Sequence, residues 1–145
     1  MRALRLVETE GSGLVGLGAR VLLLAPCAED AARMGRLIAG FGGRVDHEAE
    51  VYSALAALID DPAGWDLFVV ACDAMGGLEA GQRAHRMLGA VAERVPAILI
   101  SDGCTEQTFP EDRASPILLR SRLTGVALRL AMEHALRGRL AWRLG

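Results

Sequence analysis

Residues 20–42 read RVLLLAPCAEDAARMGRLIAGFG, where a short apolar run is followed at once by a helical pattern. The run at residues 21–24 has no polar position, which is typical of a parallel strand covered on both faces. The segment after it carries apolar side chains at the spacing of one helical side, namely Met34, Leu37, Ile38 and Phe41. The stretch therefore predicts a buried strand and a helix that packs on it.

The same alternation of strand and helix continues almost to the end of the chain. Further strands are predicted at residues 44–48, 67–72, 96–101 and 117–119, and further helices at residues 50–59, 78–94 and 123–142. The second helix carries Tyr52, Leu55, Leu58 and Ile59 on one side. Parallel neighbours need crossover connections, and helical crossovers cover both faces of a sheet. We therefore predict one α/β domain over residues 19–145 with a doubly wound parallel sheet of five strands.

Composition restricts the class of protein. The 145 residues are 52% hydrophobic, yet no stretch approaches the roughly 20 consecutive apolar residues of a membrane helix. The first residues lack the pattern of a signal peptide, so we expect a cytoplasmic protein. Three cysteines in such a chain indicate reduced thiols rather than a disulfide framework.

The glycines near the N-terminus fit a nucleotide-binding pattern only in their spacing. Gly11, Gly13 and Gly16 spell G-x-G-x-x-G, a loop that must lie between a strand and a helix whose N-terminal amides bind pyrophosphate. Here the glycines precede a strand, so we interpret residues 1–18 as a flexible arm. We recognise no other catalytic motif, and we predict no enzyme activity, no cofactor and no metal.

Four stretches, taken in order, are similar to the receiver domain of bacterial two-component response regulators. Residues 20–42 resemble its first strand and helix, and WDLFVVACDAMGGLEAG at residues 65–81 resembles its third strand and the D-x-x-M-P-x-x-D-G loop. PAILIS at residues 96–101 resembles its fourth strand, and ILLRS at residues 117–121 resembles its fifth. The resemblance implies a flavodoxin-like sheet of order 2-1-3-4-5 and a role in signal transduction through a phosphorelay.

The resemblance also implies where a phosphorylation pocket would lie. The family uses two acids after the first strand to bind magnesium, an Asp after the third strand as acceptor, a hydroxyl after the fourth and a cation after the fifth. The corresponding residues here are Ala25, Pro26, Cys72, Ser101 and Arg120. Counting from Asp66 instead places the acceptor at Ala71, but the position of Met75 favours Cys72.

This pocket is predicted to be degenerate. Magnesium requires oxygen ligands, which the side chains of Ala25 and Pro26 do not have. Without metal and acceptor, phosphorylation of an aspartate lacks both its nucleophile and its neutralising cation. Asp73 would supply an acceptor only through a strand bulge, and it stays the less favoured alternative.

The connection between the fourth and fifth strands is shorter than the family usually has. Pro110 and Pro116 interrupt it, so we expect its helix to be absent or reduced to one turn near residues 105–109. Family members usually signal through the face made by that helix, the fifth strand and the last helix. We therefore expect a different geometry on this face.

The cysteines leave an alternative open. Cys27, Cys72 and Cys104 follow or end the first, third and fourth strands, and strand ends converge on one crevice in this fold. They would form a thiol or soft-metal site of a small-ligand sensor if they cluster. Without a C-x-x-C spacing, small buried hydrophobes are the favoured interpretation. The three histidines are interpreted as structural or solvated, with His47 and His85 on exposed segments and His134 on the last helix.

The last helix has apolar side chains on two sides. We expect the first group, Leu123, Val126, Ala127 and Leu130, to pack on the sheet. We expect the second group, Leu128, Met132 and Leu136, to be exposed and to form a homodimer interface. Although residues 113–145 contain seven arginines and one acid, the chain has a net charge of -2 and no aromatic platform there except Trp142. We therefore expect no nucleic-acid binding.

These observations lead to one hypothesis and one alternative. The hypothesis is a stand-alone receiver-like module that is not phosphorylated on aspartate and acts by contact with a protein such as a histidine kinase or a downstream regulator. The alternative is a thiol or small-ligand sensor that uses the crevice at the strand ends.

Overall fold

Five parallel strands form one sheet in the computed structural model, which describes residues 14–137. The strands are β1 (Arg20–Leu24), β2 (Arg44–Glu48), β3 (Leu67–Ala71), β4 (Ala97–Ser101) and β5 (Ile117–Arg120). Their order is β2-β1-β3-β4-β5, and all four neighbouring pairs are parallel. This topology confirms the predicted flavodoxin-like fold.

Four helices cover the two faces of the sheet. They are α1 (Ala28–Gly40), α2 (Val51–Asp60), α3 (Leu78–Arg86) and α4 (Gly125–Leu136). Alternate side chains of the central strands point to opposite faces, so Leu23 and Val69 pack with α1 and α4, whereas Leu22 and Phe68 pack on the side of α2 and α3. Burial of each such side chain contributes about 1.5–3 kcal/mol.

The third helix is shorter than predicted. It ends at Arg86 instead of continuing to residue 94, and a 3-10 turn follows at Gly89–Glu93. Gly89 has a φ of +57°, a left-handed conformation that an L-residue adopts only at a cost. The helical spacing of apolar residues continues through this turn, which is why the sequence alone does not reveal the break.

The prediction for the two sides of the last helix is confirmed for Leu123 and Ala127, which are buried, and wrong for the other residues. Leu128, Met132 and Leu136 are buried against the sheet, whereas Val126 is 66% exposed and Leu130 is 43% exposed. The buried stripe is widened by small residues on the same side, Ala127, Ala131 and Ala135. These alanines let α4 lie flat on the sheet, and the proposed dimer interface at Leu128, Met132 and Leu136 is part of the core.

The second helix also differs from its predicted packing. Leu55 and Leu58 are buried, but Tyr52 and Ile59 are exposed. Space on the buried side is taken by Trp65, whose indole Nε1 donates to the carbonyl of Ala57 over 3.2 Å. The exposed pair therefore lies on the outer side of α2.

The segment between β4 and β5 contains no helix, so the helical turn allowed for residues 105–109 does not form. Thr108 instead forms an antiparallel bridge with Leu118 on the outer side of β5. Each backbone N–H donates to the carbonyl of the other residue, over 2.9 and 3.0 Å. His134 on α4 holds the same segment, because its Nε2 lies 2.6 Å from the carbonyl oxygen of Pro110.

Part of the predicted N-terminal arm is bound to the domain. The N–H of Gly16 donates to the carbonyl of Phe41 over 2.9 Å, and the N–H of Gly18 donates to the carbonyl of Gly42 over 3.1 Å. Predictions for residues 1–13, including Gly11 and Gly13, and for residues 138–145, including Trp142, lie outside the described residues. None of the described helices is long and apolar enough to cross a membrane.

Candidate functional site

The carboxylate of Asp73 lies where β3, β4 and β5 end. Oδ1 of Asp73 accepts a hydrogen bond from the Ser101 hydroxyl over 2.6 Å, and Oδ2 accepts one from the Ser121 hydroxyl over 2.8 Å. The backbone N–H of Asp102 lies 3.2 Å from both oxygens. One carboxylate thus connects residues that follow three neighbouring strands.

The chain direction after β3 explains how Asp73 reaches this position. Cys72 has helical backbone angles, φ -76° and ψ -30°, and a 3-10 turn follows at Asp73–Met75. Ala71 and Asp73 therefore both line the crevice, while the Cys72 side chain points under α3 against Gly81. A tight turn, rather than the bulge considered from the sequence, brings Asp73 to the strand ends.

Two glycines let the chain leave this turn. Gly76 and Gly77 have φ values of +119° and +99°, a region that favours glycine. The carbonyl of Cys72 accepts hydrogen bonds from the N–H groups of Met75 and Gly77, over 3.0 and 2.9 Å. The turn is therefore fixed by its own backbone before α3 begins.

The hydrogen bonds decide the charge of Asp73. Partial burial alone would raise the pKa of this carboxyl, but hydrogen bonds from Ser101, Ser121 and Asp102 outweigh it and lower the pKa below the usual value. The group is ionised at neutral pH. A charged acceptor with several donors is among the stronger hydrogen-bonded arrangements in proteins.

An open cavity of about 360 Å³ adjoins the carboxylate. Its charged lining residues are Asp30, Arg33, Asp73, Asp102 and Arg122. The Arg33 guanidinium is held by the carbonyl of Leu123, to which it donates over 3.1 Å. Among residues 14–137, no group of three His, Cys, Asp or Glu side chains has an arrangement that could hold a metal ion.

The residues assigned to the acidic pair lie at the end of β1. Ala25 is buried, and both of its backbone polar groups have partners. Its N–H donates to the backbone carbonyl of Glu48 over 2.9 Å, and its carbonyl oxygen lies 2.8 Å from Nε2 of His47. Pro26 is half-buried beside it. Neither side chain has an oxygen atom for a hard cation.

The hydroxyl residue lies where the sequence places it, but the cation does not. Ser101 contacts Asp73 directly, whereas Arg120 lines a separate groove beside Leu130 on α4. Ser121, one residue further, is the residue after β5 that contacts the carboxylate. The assignment of Arg120 to the pocket is therefore corrected. A hydroxyl directly after the last strand was the sequence signal for Ser121.

Two of the three cysteines, Cys72 and Cys104, are buried. Burial raises the pKa of the Cys72 thiol to about 12, with a backbone hydrogen bond from Ile100 acting in the opposite direction. Burial also raises the pKa of Cys104. Both thiols are therefore protonated at neutral pH, and thiolates are the nucleophilic and metal-binding form. Cys27 is partly exposed at the start of α1.

His85 is buried, although its segment was expected to be exposed. Its Nε2 has no hydrogen-bond partner in the described part of the chain. Burial, together with the positive charge of Arg86, lowers the pKa of this imidazole. His85 is therefore a buried, neutral residue of α3.

Comparison with known proteins bears on the fold. No family model matches the chain, and no curated protein matches its sequence. Among solved structures, a response regulator receiver domain protein from Clostridium thermocellum has a TM-score of 0.66 at 13% identity, covering 86% of this chain and 98% of that one. The chain therefore has the fold of receiver domains.

Two similar structures come from Burkholderia. A putative pilus assembly-related protein from Burkholderia pseudomallei has a TM-score of 0.62 at 20% identity, covering 87% of this chain and 92% of that one. A putative pilus assembly protein from Burkholderia thailandensis has a TM-score of 0.63 at 22% identity, covering 82% and 98%. At these identities the likeness extends to the fold and not to the chemistry of the site.

Proposed function

We propose that this chain is a receiver-like signalling module of two-component type that acts by protein contact and is not phosphorylated on aspartate. The proposal rests on the hydrogen bonds of Asp73. Both of its carboxylate oxygens accept hydrogen bonds from hydroxyl groups of the chain itself, Ser101 and Ser121. The carboxylate is therefore engaged in holding the strand ends.

The surroundings of Asp73 also disfavour phosphoryl transfer. Attack of a carboxylate on a phosphoryl group needs a cation to neutralise the charge that develops, commonly magnesium held by oxygen ligands. Ala25 and Pro26 have no side-chain oxygen for such an ion at the end of β1, and Ser121 provides a neutral hydroxyl at the end of β5. The acids that line the cavity, Asp30, Asp73 and Asp102, have no arrangement within residues 14–137 that could hold a metal ion.

The arrangement favours a fixed state of the module. In the family that the sequence resembles, the hydroxyl after the fourth strand takes part in phosphorylation. Here Ser101 is already bound to an anion within the chain, and the N–H of Asp102 is bound to the same anion. The ends of β3, β4 and β5 are thus joined without modification. We infer constitutive contact with a signalling protein, such as a kinase or a downstream regulator.

Intact-mass analysis after incubation with acetyl phosphate and magnesium tests this proposal. The chain is expected to keep its mass, while a receiver domain with a complete acidic pocket, treated in the same way, gains one phosphoryl group. The Asp73→Asn variant serves as the reference for labelling elsewhere. A gain of one phosphoryl group in the wild type that is missing in Asp73→Asn would overturn the proposal.

A further inference from the structure

The two outer strands of the sheet are accompanied by opposite charges. Residues 44–61, which contain β2 and α2, include five acids and a single arginine. Residues 113–137, which contain β5 and α4, include five arginines and a single acid, Glu133. Because β2 and β5 stand at opposite ends of the strand order, these charges lie at opposite edges of the domain.

The acidic face is the outer side of α2 with the acids around its ends. Tyr52 is 66% exposed and Ile59 is 47% exposed, two turns apart on one side of the helix. The surrounding acids are Glu48, Glu50, Asp60 and Asp61. The helix itself contains no basic residue. An apolar surface is thus framed by negative charge.

The basic face is the outer side of α4 with the end of β5. Its apolar part is the exposed pair Val126 and Leu130, one turn apart. Arg120 and Arg122 line a groove of about 380 Å³ next to this pair. Arg129 lies partly exposed on the same helix. The exposed Glu133, two turns after Val126, is the one acid on this side of the described helix. The basic face therefore resembles the acidic face with the opposite net charge.

We propose that copies of this chain associate head to tail, with the acidic face of one copy on the basic face of the next. Neither face suits a two-fold contact with itself, since that contact would bring like charges together, which is unfavourable. Pairing of the two different faces matches charge with opposite charge and covers both exposed apolar pairs. Such a heterologous contact repeats from copy to copy and forms a ring or an open chain.

Light scattering of the full chain tests the association directly. The mean mass is expected to rise with protein concentration and to fall at high salt, since exposed charges are screened as the Debye length shortens from about 10 Å at 0.1 M to about 3 Å at 1 M. A mass of one copy at every concentration and at low salt would overturn the proposal.

Two variants identify the faces. Val126→Glu with Arg129→Glu alters the basic face, and Tyr52→Arg with Asp60→Arg alters the acidic face. Each variant alone is expected to associate at least about tenfold more weakly than the wild type. A matched control on a third surface, Arg83→Glu with Met87→Glu, makes the same chemical change at exposed positions of and beside α3 and is expected to keep the wild-type association.

Mixing the two face variants gives the decisive result. Each retains the face that the other has lost, so an equimolar mixture is expected to form a pair of one copy of each and to grow no further. Circular dichroism establishes that each variant is folded. The proposal would be overturned if the mixture showed no pairing. It would also be overturned if only the basic-face variant lost association, because that result would indicate a two-fold contact through α4. These outcomes do not depend on phosphorylation of Asp73.

Discussion

Ser101 donates its hydroxyl hydrogen to Oδ1 of Asp73 over 2.6 Å and thereby joins the end of β4 to the turn that follows β3. The Ser101 oxygen in turn accepts the N–H of Gly103 over 3.0 Å, which fixes the start of the next loop. With Ser121 bound to the other carboxylate oxygen, the site is a small polar network whose removal has measurable consequences.

The first prediction concerns the charge of Asp73. Because the pKa of Asp73 is lowered in the folded state, the carboxylate adds stability at pH values above the unfolded-state pKa of about 3.9. This stability is lost as the pH falls through the folded-state pKa. Asp73→Asn is expected to lose about 1–2 kcal/mol at pH 7, the range of a charged hydrogen bond reduced for exposure.

Urea denaturation at neutral pH and near pH 3 measures this effect. The difference between wild type and Asp73→Asn is expected to shrink at the lower pH. The control is Glu79→Gln on α3, whose carboxylate forms an exposed ion pair with Arg83; it is expected to change stability by less than about 0.5 kcal/mol. An equal difference at both pH values would contradict the role assigned to the charge.

The second prediction concerns the orientation of α4. Leu128→Ala removes a fully buried side chain and is expected to destabilise the fold by about 2–5 kcal/mol. Val126→Ala on the exposed side is expected to change the free energy of unfolding by less than about 0.5 kcal/mol. Denaturant titration of the two variants compares them directly, and similar losses would refute the packing described for this helix.

The third prediction concerns His85. Since its folded-state pKa is lowered by burial and by Arg86, protonation of the imidazole destabilises the fold, so that stability is highest above the unfolded pKa of about 6.5 and is lost as the pH falls through the folded-state pKa. His85→Leu removes the buried Nε2 that has no partner in residues 14–137 and is expected to be neutral or stabilising by about 1 kcal/mol at pH 7.

Thermal melts between about pH 7 and pH 5 separate this group from the others. Wild type is expected to lose more stability than His85→Leu over this interval. Arg86→Gln removes a nearby positive charge and should lie between the two. Parallel pH curves for wild type and His85→Leu would show that another group is responsible.

The fourth prediction concerns the thiols. Iodoacetamide at pH 8 should label Cys27 and leave Cys72 and Cys104 largely unmodified in the folded chain, because the latter two are buried with raised pKa values. In denaturant all three should react. Peptide mass analysis reads out each site. Rapid labelling of Cys72 in the folded chain would revive a thiol-based sensor.

The sheet could be predicted from the sequence because four of its strands, all except β2, are short and largely apolar, and because helices separate the first four strands. The rotation of α4 about its own axis could not be predicted, since Leu128 and Val126 are both apolar. Only packing against the sheet selects the side of the helix that also carries the alanines. Tyr52 illustrates the same limit on α2, where Trp65 from a following turn fills the core. Periodicity defines a helix and leaves its rotation to tertiary packing.

The site could be predicted only in part. Ser101 follows directly from its place at the end of β4. Asp73 and Ser121 depend on how the chain turns after a strand, and a shift of one residue changes which side chain faces the crevice. Backbone angles at Cys72 decide this shift, and no pattern of apolar residues encodes them.

The bridge between Thr108 and Leu118 has a consequence for contacts with other polypeptides. An outermost strand normally offers free amide and carbonyl groups on which a foreign peptide can add as a further strand. Backbone groups of Leu118 are already taken, so the middle of β5 is shielded from such addition. Of the described strands, β2 has an unpaired outer edge. Its charged side chains Arg44, Asp46 and Glu48 would oppose amyloid-like stacking at this edge.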